Sequence, residues 1–194
     1  MWHGLWTVVD ESDRAQWGYA PLEGVGPLSF GMSSQEAITA MEAQGYTCDA
    51  VSQAGEFGPF KQLCTRFRAV DAPMYREDSA GSLRVDVVGY YVGPMGLTCV
   101  TVDALSGPQV LLDGIRLIGR PPSELSAELS IYLEKTGRRI EITPEGDIGS
   151  EALGVYPRAQ RAGDVLLTRL VFGRPNDWAN TMYDCIPVDE WRIH

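Results

Sequence analysis

The sequence predicts an α+β fold in which two helices pack on antiparallel β-sheet, and three observations carry that prediction. The first is a capped amphipathic helix that follows a glycine-rich turn within residues 24–45. The second is a series of short segments that alternate apolar and polar residues, as half-buried strands do. The third is a weaker copy of the turn and helix further along the chain, in register when Gly119 is placed on Gly31.

The first helix has clear start and stop signals. Ser33 and Glu36 have the spacing of a capping box, in which each side chain satisfies a backbone N–H of the first helical turn. The helix is therefore expected to begin near Ser34 and to end at Gly45, since glycine readily terminates a helix. The residues at helical spacing that would pack on a sheet are Ala37, Ile38 and Met41.

The remainder of the first half is predicted to be strands joined by polar turns. Residues 6–9 have strand character ahead of the helix, and the glycine and proline content of residues 52–59 predicts a loop. A second polar connection is expected at residues 71–81. Strands after the helix are expected at residues 46–51, 62–68, 83–92 and 97–102, the last two joined by a turn at residues 93–96.

The second half repeats this order. The Asp113-Gly114 pair between two apolar runs is typical of a hairpin turn. A second helix is expected to start at the Pro121-Pro122 pair and to end at Gly137. Its apolar stripe is formed by Leu125, Leu129, Tyr132 and Leu133. Strands are expected at residues 139–143, 153–156 and 165–172, with a loop at residues 144–149.

These elements predict one compact domain over residues 1–194. Two pseudo-repeats of strand-turn-helix followed by an antiparallel meander are expected at about residues 22–104 and 109–173. The extension at residues 174–194 contains Trp178 and Trp191, and we expect it to pack across the repeats as a short helix or strand. Chance similarity between the two halves is the alternative.

The charge of the chain bounds its partners. The formal net charge is −10, with ten acids and five bases in residues 22–104 but nine acids and eight bases in residues 105–172. This balance argues against a nucleic-acid ligand, and it suits a basic protein partner or serves solubility alone. No apolar segment is long enough to span a bilayer, and the first residues lack a basic leader before an apolar run. A cytoplasmic location without membrane contact is expected.

Catalytic and metal-binding signals are weak. The two histidines are His3 and His194, one at each end, and no Gly-x-Ser-x-Gly elbow is present. The glycine-rich segment at residues 24–31 lacks a following Gly-Lys-Ser/Thr, so neither a phosphate cofactor nor another small-molecule ligand is expected. Neither a catalytic residue nor a metal site is predicted. The four cysteines, predicted to be thiols and mostly buried, are Cys48, Cys64, Cys99 and Cys185.

The best candidate for a functional surface is a set of acidic residues and aromatics in the connections of the first half. Acids steer a basic partner and aromatic rings anchor it, a composition suited to a protein–protein interface. The alternative is that the rings tuck into the core and the acids only solvate the loops. The predicted partner-binding residues are Asp49, Glu56, Phe57, Asp71, Tyr75, Glu77 and Asp78.

One segment carries a family resemblance. Residues 24–33, Gly-Val-Gly-Pro-Leu-Ser-Phe-Gly-Met-Ser, followed by Glu36, resemble a segment of small acidic bacterial proteins, notably of actinobacteria, some of which are similar to immunity proteins of polymorphic toxin systems. Gly-Met-Ser before an amphipathic helix also resembles outer-membrane assembly lipoproteins. The first resemblance implies a non-enzymatic protein that binds a basic toxin domain and occludes its active site.

Two other functions remain open from the sequence. One is a hydrolase-type enzyme that uses loop carboxylates, with Glu145 and Asp147 or Glu77 and Asp78 as candidate pairs. The other is a structural or assembly module that uses its internal repeat.

Overall fold

The chain folds into α+β structure dominated by strands. The computed structural model describes residues 6–57, 60–73, 84–143, 146–176 and 179–191. The elements of the first half are β1 (Gln16–Ala20), β2 (Gly24–Val25), β3 (Leu28–Ser29), α1 (Ser34–Glu42), β4 (Tyr46–Phe57), β5 (Phe60–Ala69), β6 (Val87–Val92) and β7 (Leu97–Val102). Those of the second half are β8 (Gln109–Leu112), β9 (Ile115–Arg116), α2 (Pro122–Lys135), β10 (Glu141–Ile142), β11 (Ile148–Gly149), β12 (Val155–Ala162) and β13 (Val165–Gly173).

Most of the strands belong to two larger sheets. The first has six antiparallel strands in the order β12-β13-β7-β6-β5-β4. The second has five strands in the order β3-β2-β1-β8-β9, and it is mixed because β1 runs parallel to β8 with Trp17 opposite Val110. A third pair, β10 with β11, lies beside β12.

The main core lies between the two sheets and the helices. Helix α1 packs on β4 and β5, whereas α2 packs on β11, β12 and β13. We call the side of the six-stranded sheet that faces the helices its inner face. One continuous apolar cluster joins both helices, both large sheets and the two halves of the chain, with members that include Trp17, Met41, Phe67, Leu129 and Phe172. Burial of this surface at about 25 cal/mol per Å² is the main stabilising contribution.

A smaller core covers the opposite, outer face of the six-stranded sheet. The segment after β13 crosses that face through two 3-10 turns, Met182–Cys185 and Val188–Trp191. Met182, Cys185 and Ile186 from this segment are buried against Tyr90 and Tyr156 of the sheet, among other residues. The sequence predicted that this extension packs across the body as a short helix or strand, and its described part forms 3-10 turns.

Both helices follow the predicted signals. The capping box of α1 is confirmed, since Ser33 Oγ accepts from Glu36 N at 3.2 Å and Glu36 Oε2 accepts from Ser33 N at 2.8 Å. Helix α2 begins at Pro122 and buries Leu125, Leu129 and Leu133. The Asp113-Gly114 hairpin is also confirmed, and both residues have positive φ, as a two-residue turn of this kind requires.

Two predicted boundaries in the first half were wrong. Residues 7–10 form no regular element, and the first strand is β1, whose Trp17 and Tyr19 face the core. Residues 52–57 are not a loop, because β4 continues to Phe57 opposite β5. The glycine signal there marks a register shift between Gln53 and Gly55 rather than the end of the strand.

Other strand boundaries moved by a few residues. Strand β6 begins only at Val87, residues 84–86 having no strand geometry, and residues 74–83 of the predicted connection and strand lie outside the described residues. The predicted loop at residues 144–149 contains the short β11. Strand β12 runs from Val155 to Ala162 rather than over residues 153–156, because cross-strand pairing with β13 extends it.

The cysteine prediction is confirmed for the described residues. All four are free thiols, with Cys64, Cys99 and Cys185 buried and Cys48 half-buried. No described helix is long and apolar enough to cross a membrane.

Candidate functional site

The β4–β5 hairpin projects beyond the helix that packs on it. Nine helical residues span roughly 13 Å, whereas the twelve residues of β4 span roughly 40 Å, so α1 covers only part of the hairpin. On the inner face past the helix, Val51 is 55% exposed and Leu63 is 42% exposed. The hairpin therefore presents apolar side chains to solvent on the side where the rest of the sheet is covered.

A cleft of about 310 Å³ lies where α1 meets this exposed face, and we call it the hairpin cleft. Leu63 and Tyr91 line it from the sheet, together with the first turn of α1 and the turn at residues 93–96. Its full lining consists of Gly31, Ser33, Ser34, Glu36, Leu63, Tyr91, Gly93, Pro94 and Gly96. The cleft thus combines apolar groups with one carboxylate, that of Glu36.

The walls of the hairpin cleft are fixed by short backbone bonds. Gly31 N donates to Leu97 O at 2.8 Å, and Leu97 N donates to Met32 O at 2.7 Å. Gly96 has φ +67, and a Cβ there would lie 2.3 Å from Gly31 O, so the two turns touch without room for a side chain. Buried Tyr91 bonds to Thr65 Oγ1 at 2.9 Å, and burial raises the pKa of its hydroxyl to about 12. The cleft is preformed rather than assembled from loose loops.

A second site lies on the outer face, where Glu190 is buried with 2% of its surface exposed. Its Oε1 accepts from the Tyr90 hydroxyl at 2.6 Å and from Thr101 Oγ1 at 3.3 Å. Its Oε2 accepts from Arg169 Nη2 at 2.6 Å. We call Tyr90, Thr101 and Arg169 the carboxylate site, because their donors converge on one carboxylate.

The carboxylate site is buried, and charged side chains lie close to it. Burial and the neighbouring Glu190 carboxylate raise the pKa of Tyr90, so its hydroxyl stays protonated and can donate. Burial and the same carboxylate also raise the pKa of the Cys99 thiol. Arg158 lies over the ring of Trp191, with its guanidinium carbon 5.0 Å from the ring centroid. The last described turn of the chain therefore supplies both an acid and an aromatic ring to the sheet.

Of the predicted binding residues, the structure describes Asp49 and Asp71 in full and only the backbone of Glu56 and Phe57. Asp49 lies at an irregularity of β4 and forms a two-pronged ion pair with Arg68, whose Nε and Nη2 donate to it at 2.8 and 3.1 Å. Its charge is therefore compensated within the chain. Asp71 is exposed just after β5. Tyr75, Glu77 and Asp78 lie outside the described residues.

Glu56 and Phe57 lie at the other end of the same hairpin. Their backbone pairs with Lys61 and Phe60 in the last register positions of β4 and β5. From Lys61 to Arg68 is roughly 23 Å along the strand, so the two predicted groups sit at opposite ends of β5. One small contact cannot use both groups, whereas one protein-sized interface can.

Of the candidate carboxylate pairs, the structure describes only Asp147. Glu77, Asp78 and Glu145 lie outside the described residues, and Asp147 is half-buried beside β11. Among the residues that the structure describes, no cluster of three or more His, Cys, Asp or Glu side chains forms a possible metal site.

Sequence reasoning missed both sites. The hairpin cleft arises from contacts between residues around positions 33, 63 and 94, which no local pattern connects. The carboxylate site left one usable signal, because Arg169 interrupts the apolar end of a predicted strand, and a charge at such a position indicates a buried ion pair. Its partner Glu190 could not be identified from spacing.

Comparisons with protein-family models, with curated proteins and with solved structures gave no match to this chain.

Proposed function

We propose that this chain is a non-enzymatic, protein-binding protein of the immunity type, which neutralises a bacterial toxin domain by covering its active site. The observation that carries the proposal is the hairpin cleft with the projecting β4–β5 hairpin beside it. A preformed concave surface that exposes apolar side chains and lies beside acidic groups suits protein recognition.

The anchoring part of the interface would be the inner face of the hairpin. Val51 and Leu63 are large apolar side chains exposed side by side, and Pro94 continues this surface across the cleft. Burying each aliphatic side chain against a partner would contribute about 1.5–3 kcal/mol. The predicted contacts Glu56 and Phe57 are the last residues of β4 in the same hairpin.

The partner that suits this surface is a basic toxin domain. The net charge of −10 favours encounter with a positively charged protein. Glu36 lies in the cleft, and Glu23 and Glu42 are exposed in the same half of the chain. Asp71 would contact the partner only as the far end of a wide interface, and we keep Tyr75, Glu77 and Asp78 as predicted contacts. We place this activity in the cytoplasm, where an immunity protein meets its toxin.

We also propose that the chain consists of two copies of one structural unit. In each half a two-stranded hairpin precedes a helix, and four strands follow it. The last strands of the two halves, β7 and β13, pair with each other within the six-stranded sheet. This arrangement supports an internal duplication about a pseudo-twofold axis between those two strands, and an assembly role for the repeat remains the alternative.

The test is co-expression of the chain with the toxin-type domain encoded beside it in its genome. We expect wild type to restore growth and to form a one-to-one complex with that domain. Leu63→Asp is expected to weaken the complex by about 30-fold or more, because it places a charge at the centre of the apolar contact. The matched control, Ile131→Asp, alters a side chain that is 52% exposed on α2, and it should bind as wild type does.

Affinity is measured by titration calorimetry, and circular dichroism checks that both variants keep the wild-type fold. Undiminished toxin activity in the presence of excess wild type would refute the immunity function. Equal affinities for Leu63→Asp and wild type would instead move the interface away from the hairpin cleft.

A further inference from the structure

The last described turn of the chain, Val188–Trp191, closes the carboxylate site, and we call it the closing turn. Within it only Glu190 is buried, while Val188 is 67% exposed and Trp191 is half-buried. The residues just before it are different, since Met182, Cys185 and Ile186 are almost fully buried. Lifting the closing turn alone, with Pro187 as the pivot, therefore exposes far less apolar surface than lifting the whole segment.

The closing turn is attached to the sheet through side chains. Among the described residues, no backbone–backbone hydrogen bond joins residues 179–191 to a strand, and the bond that links them to the preceding chain runs from Ala179 N to Asn176 O at 3.0 Å. Within the turn, Glu190 N donates to Pro187 O at 2.9 Å, and the Trp191 indole donates to Ile186 O at 3.3 Å, so both bonds stay inside the segment. The Glu190 carboxylate and the Trp191 ring both contact side chains of the sheet.

The sheet beneath the segment has more donors than its occupant satisfies. Arg169 is 7% exposed, and its Nε has no hydrogen-bond partner in the described structure. The same holds for the hydroxyl of Tyr156, which is buried on this face. A buried donor without an acceptor costs about 1–3 kcal/mol, so these groups favour an occupant with more acceptor oxygens.

The ion pair between Glu190 and Arg169 is also a weak source of stability for the closing turn. The desolvation of two charges largely offsets their attraction, so Glu190 and Arg169 contribute little net stability. They do contribute specificity, because the donors of Tyr90, Thr101 and Arg169 accept one carboxylate in one position. These properties suit a recognition site better than a structural latch.

We propose that the carboxylate site binds a partner peptide that presents a carboxylate beside an aromatic ring, and that the closing turn is its intramolecular occupant. The Glu190-Trp191 pair displays the chemistry of the ligand, with the acid on Arg169 and the ring against Arg158. An acidic peptide with further acceptor oxygens displaces the turn by also engaging the unpaired donors. This site lies on the outer face, opposite the hairpin cleft, so it is independent of the proposed toxin interface.

The probe is a fluorescent peptide with the sequence of residues 186–191, Ile-Pro-Val-Asp-Glu-Trp, titrated into the full chain by fluorescence polarisation. In wild type the closing turn competes at an effective concentration in the millimolar range, so binding is weak. In Glu190→Gln the competitor loses its charge, and we expect the peptide to bind at least tenfold more tightly. A peptide with Gln in place of Glu should bind at least tenfold more weakly than the acidic one.

The matched control is Glu134→Gln, which neutralises an exposed glutamate on α2 and should bind the peptide as wild type does. A folded Glu190→Gln chain that binds the peptide no better than wild type overturns the proposal. A peptide-free dimer of Glu190→Gln, seen by light scattering, overturns it as well, because the occupant would then be a second copy.

Hydrogen exchange on wild type decides the question even if Glu190→Gln fails to fold. With peptide in excess, the backbone amides of residues 189–191 should exchange faster, while those of α2 keep their rates. Unchanged exchange at residues 189–191 under saturating peptide contradicts displacement of the closing turn.

Discussion

Two buried arginines have opposite roles at the residue scale. Arg14 donates to four backbone carbonyls, those of Val9, Ala104, Leu105 and Gly107, at 2.7–3.1 Å. It therefore ties the segment before β1 to the loop after β7, although burial lowers its pKa. Arg169 Nη2 instead donates to the Glu190 carboxylate and to Thr101 Oγ1, and its Nε has no partner in the described structure. Every guanidinium nitrogen of Arg14 has a hydrogen-bond acceptor, so we interpret Arg14 as a structural residue. Arg169 keeps a buried nitrogen without an acceptor, and this makes it a candidate for ligand recognition.

The capping serine gives the first stability prediction. Ser33→Ala removes the oxygen that accepts from Glu36 N, and it should lower the free energy of unfolding by about 0.5–2 kcal/mol. Urea denaturation at pH 7 measures the effect. The matched control is Ser123→Ala in the first turn of α2, which should stay within about 0.5 kcal/mol of wild type.

The same cap has a pH signature. Bonds from the backbone N–H and hydroxyl of Ser33 lower the pKa of Glu36 in the folded state. Their contribution to stability is therefore complete above the unfolded carboxyl pKa and is lost as the pH falls through the lower folded value. The difference between wild type and Ser33→Ala should shrink between pH 7 and pH 3 in thermal unfolding. A constant difference would mean that the carboxylate plays no part in the cap.

At the scale of the elements, the sequence predicts best those that depend on local signals. Both helices and the Asp113-Gly114 hairpin follow from caps, helical spacing and turn residues a few positions apart. Strand β1 was missed because its parallel partner β8 is more than 90 residues away in the chain. The alternation of Trp17 and Tyr19 was present, but the apolar run at residues 6–9 was the stronger local signal.

Tertiary contacts also decided the length of β4. Glycine, serine and proline at residues 52–59 predicted a loop, yet pairing with β5 extends the strand through Gly55. The irregularity between Gln53 and Gly55 absorbs the unfavourable local preference. No window of the sequence contains the partner strand, so the local prediction could not include this stabilisation.

The contact between two turns makes Gly96 a sensitive position. Gly96→Ala would place a Cβ 2.3 Å from Gly31 O at a positive φ, which combines steric clash with backbone strain. Gly137→Ala has nearly the same φ of +64 but nothing within 4 Å, so only about 1–2 kcal/mol of strain is expected. We expect Gly96→Ala to be the more destabilising variant by at least about 2 kcal/mol in urea denaturation. Equal losses would argue that the two turns do not touch.

At the scale of the molecule, one core joins the two halves of the chain. The main apolar cluster includes side chains from α1, α2 and both large sheets. Strand β7 pairs with β13, and β1 pairs with β8, so each half completes a sheet of the other. A destabilising substitution in one half should therefore lower the stability of both halves.

Hydrogen exchange can test this coupling. Leu129 of α2 is fully buried, and Leu129→Ala should lower stability by about 2–5 kcal/mol. If the chain unfolds as one unit, the slowest amides of β5 and of β13 lose the same protection free energy. The control Ile131→Ala, on the exposed side of the same helix, should change neither by more than about 0.5 kcal/mol. A loss confined to β13 would show that the halves unfold separately.

The candidate sites were less predictable than the fold. Acidic and aromatic residues pointed to residues 49–78, and the hairpin from this region does project beyond α1. Its apolar anchors Val51 and Leu63 could not be recognised, because their exposure depends on where α1 stops covering the sheet. Asp49 seemed available from the sequence, but Arg68 compensates it across the strand pair.

The two register irregularities of β4 affect whether strands of other molecules can add to the edge of the sheet. In the part of the chain that the structure describes, β4 forms one edge of the six-stranded sheet, and a twelve-residue edge invites foreign strands to add. Breaks between Cys48 and Ala50 and between Gln53 and Gly55 leave no regular stretch longer than residues 50–53. Four residues are a short template for a foreign strand, so the two irregularities protect this edge against strand addition.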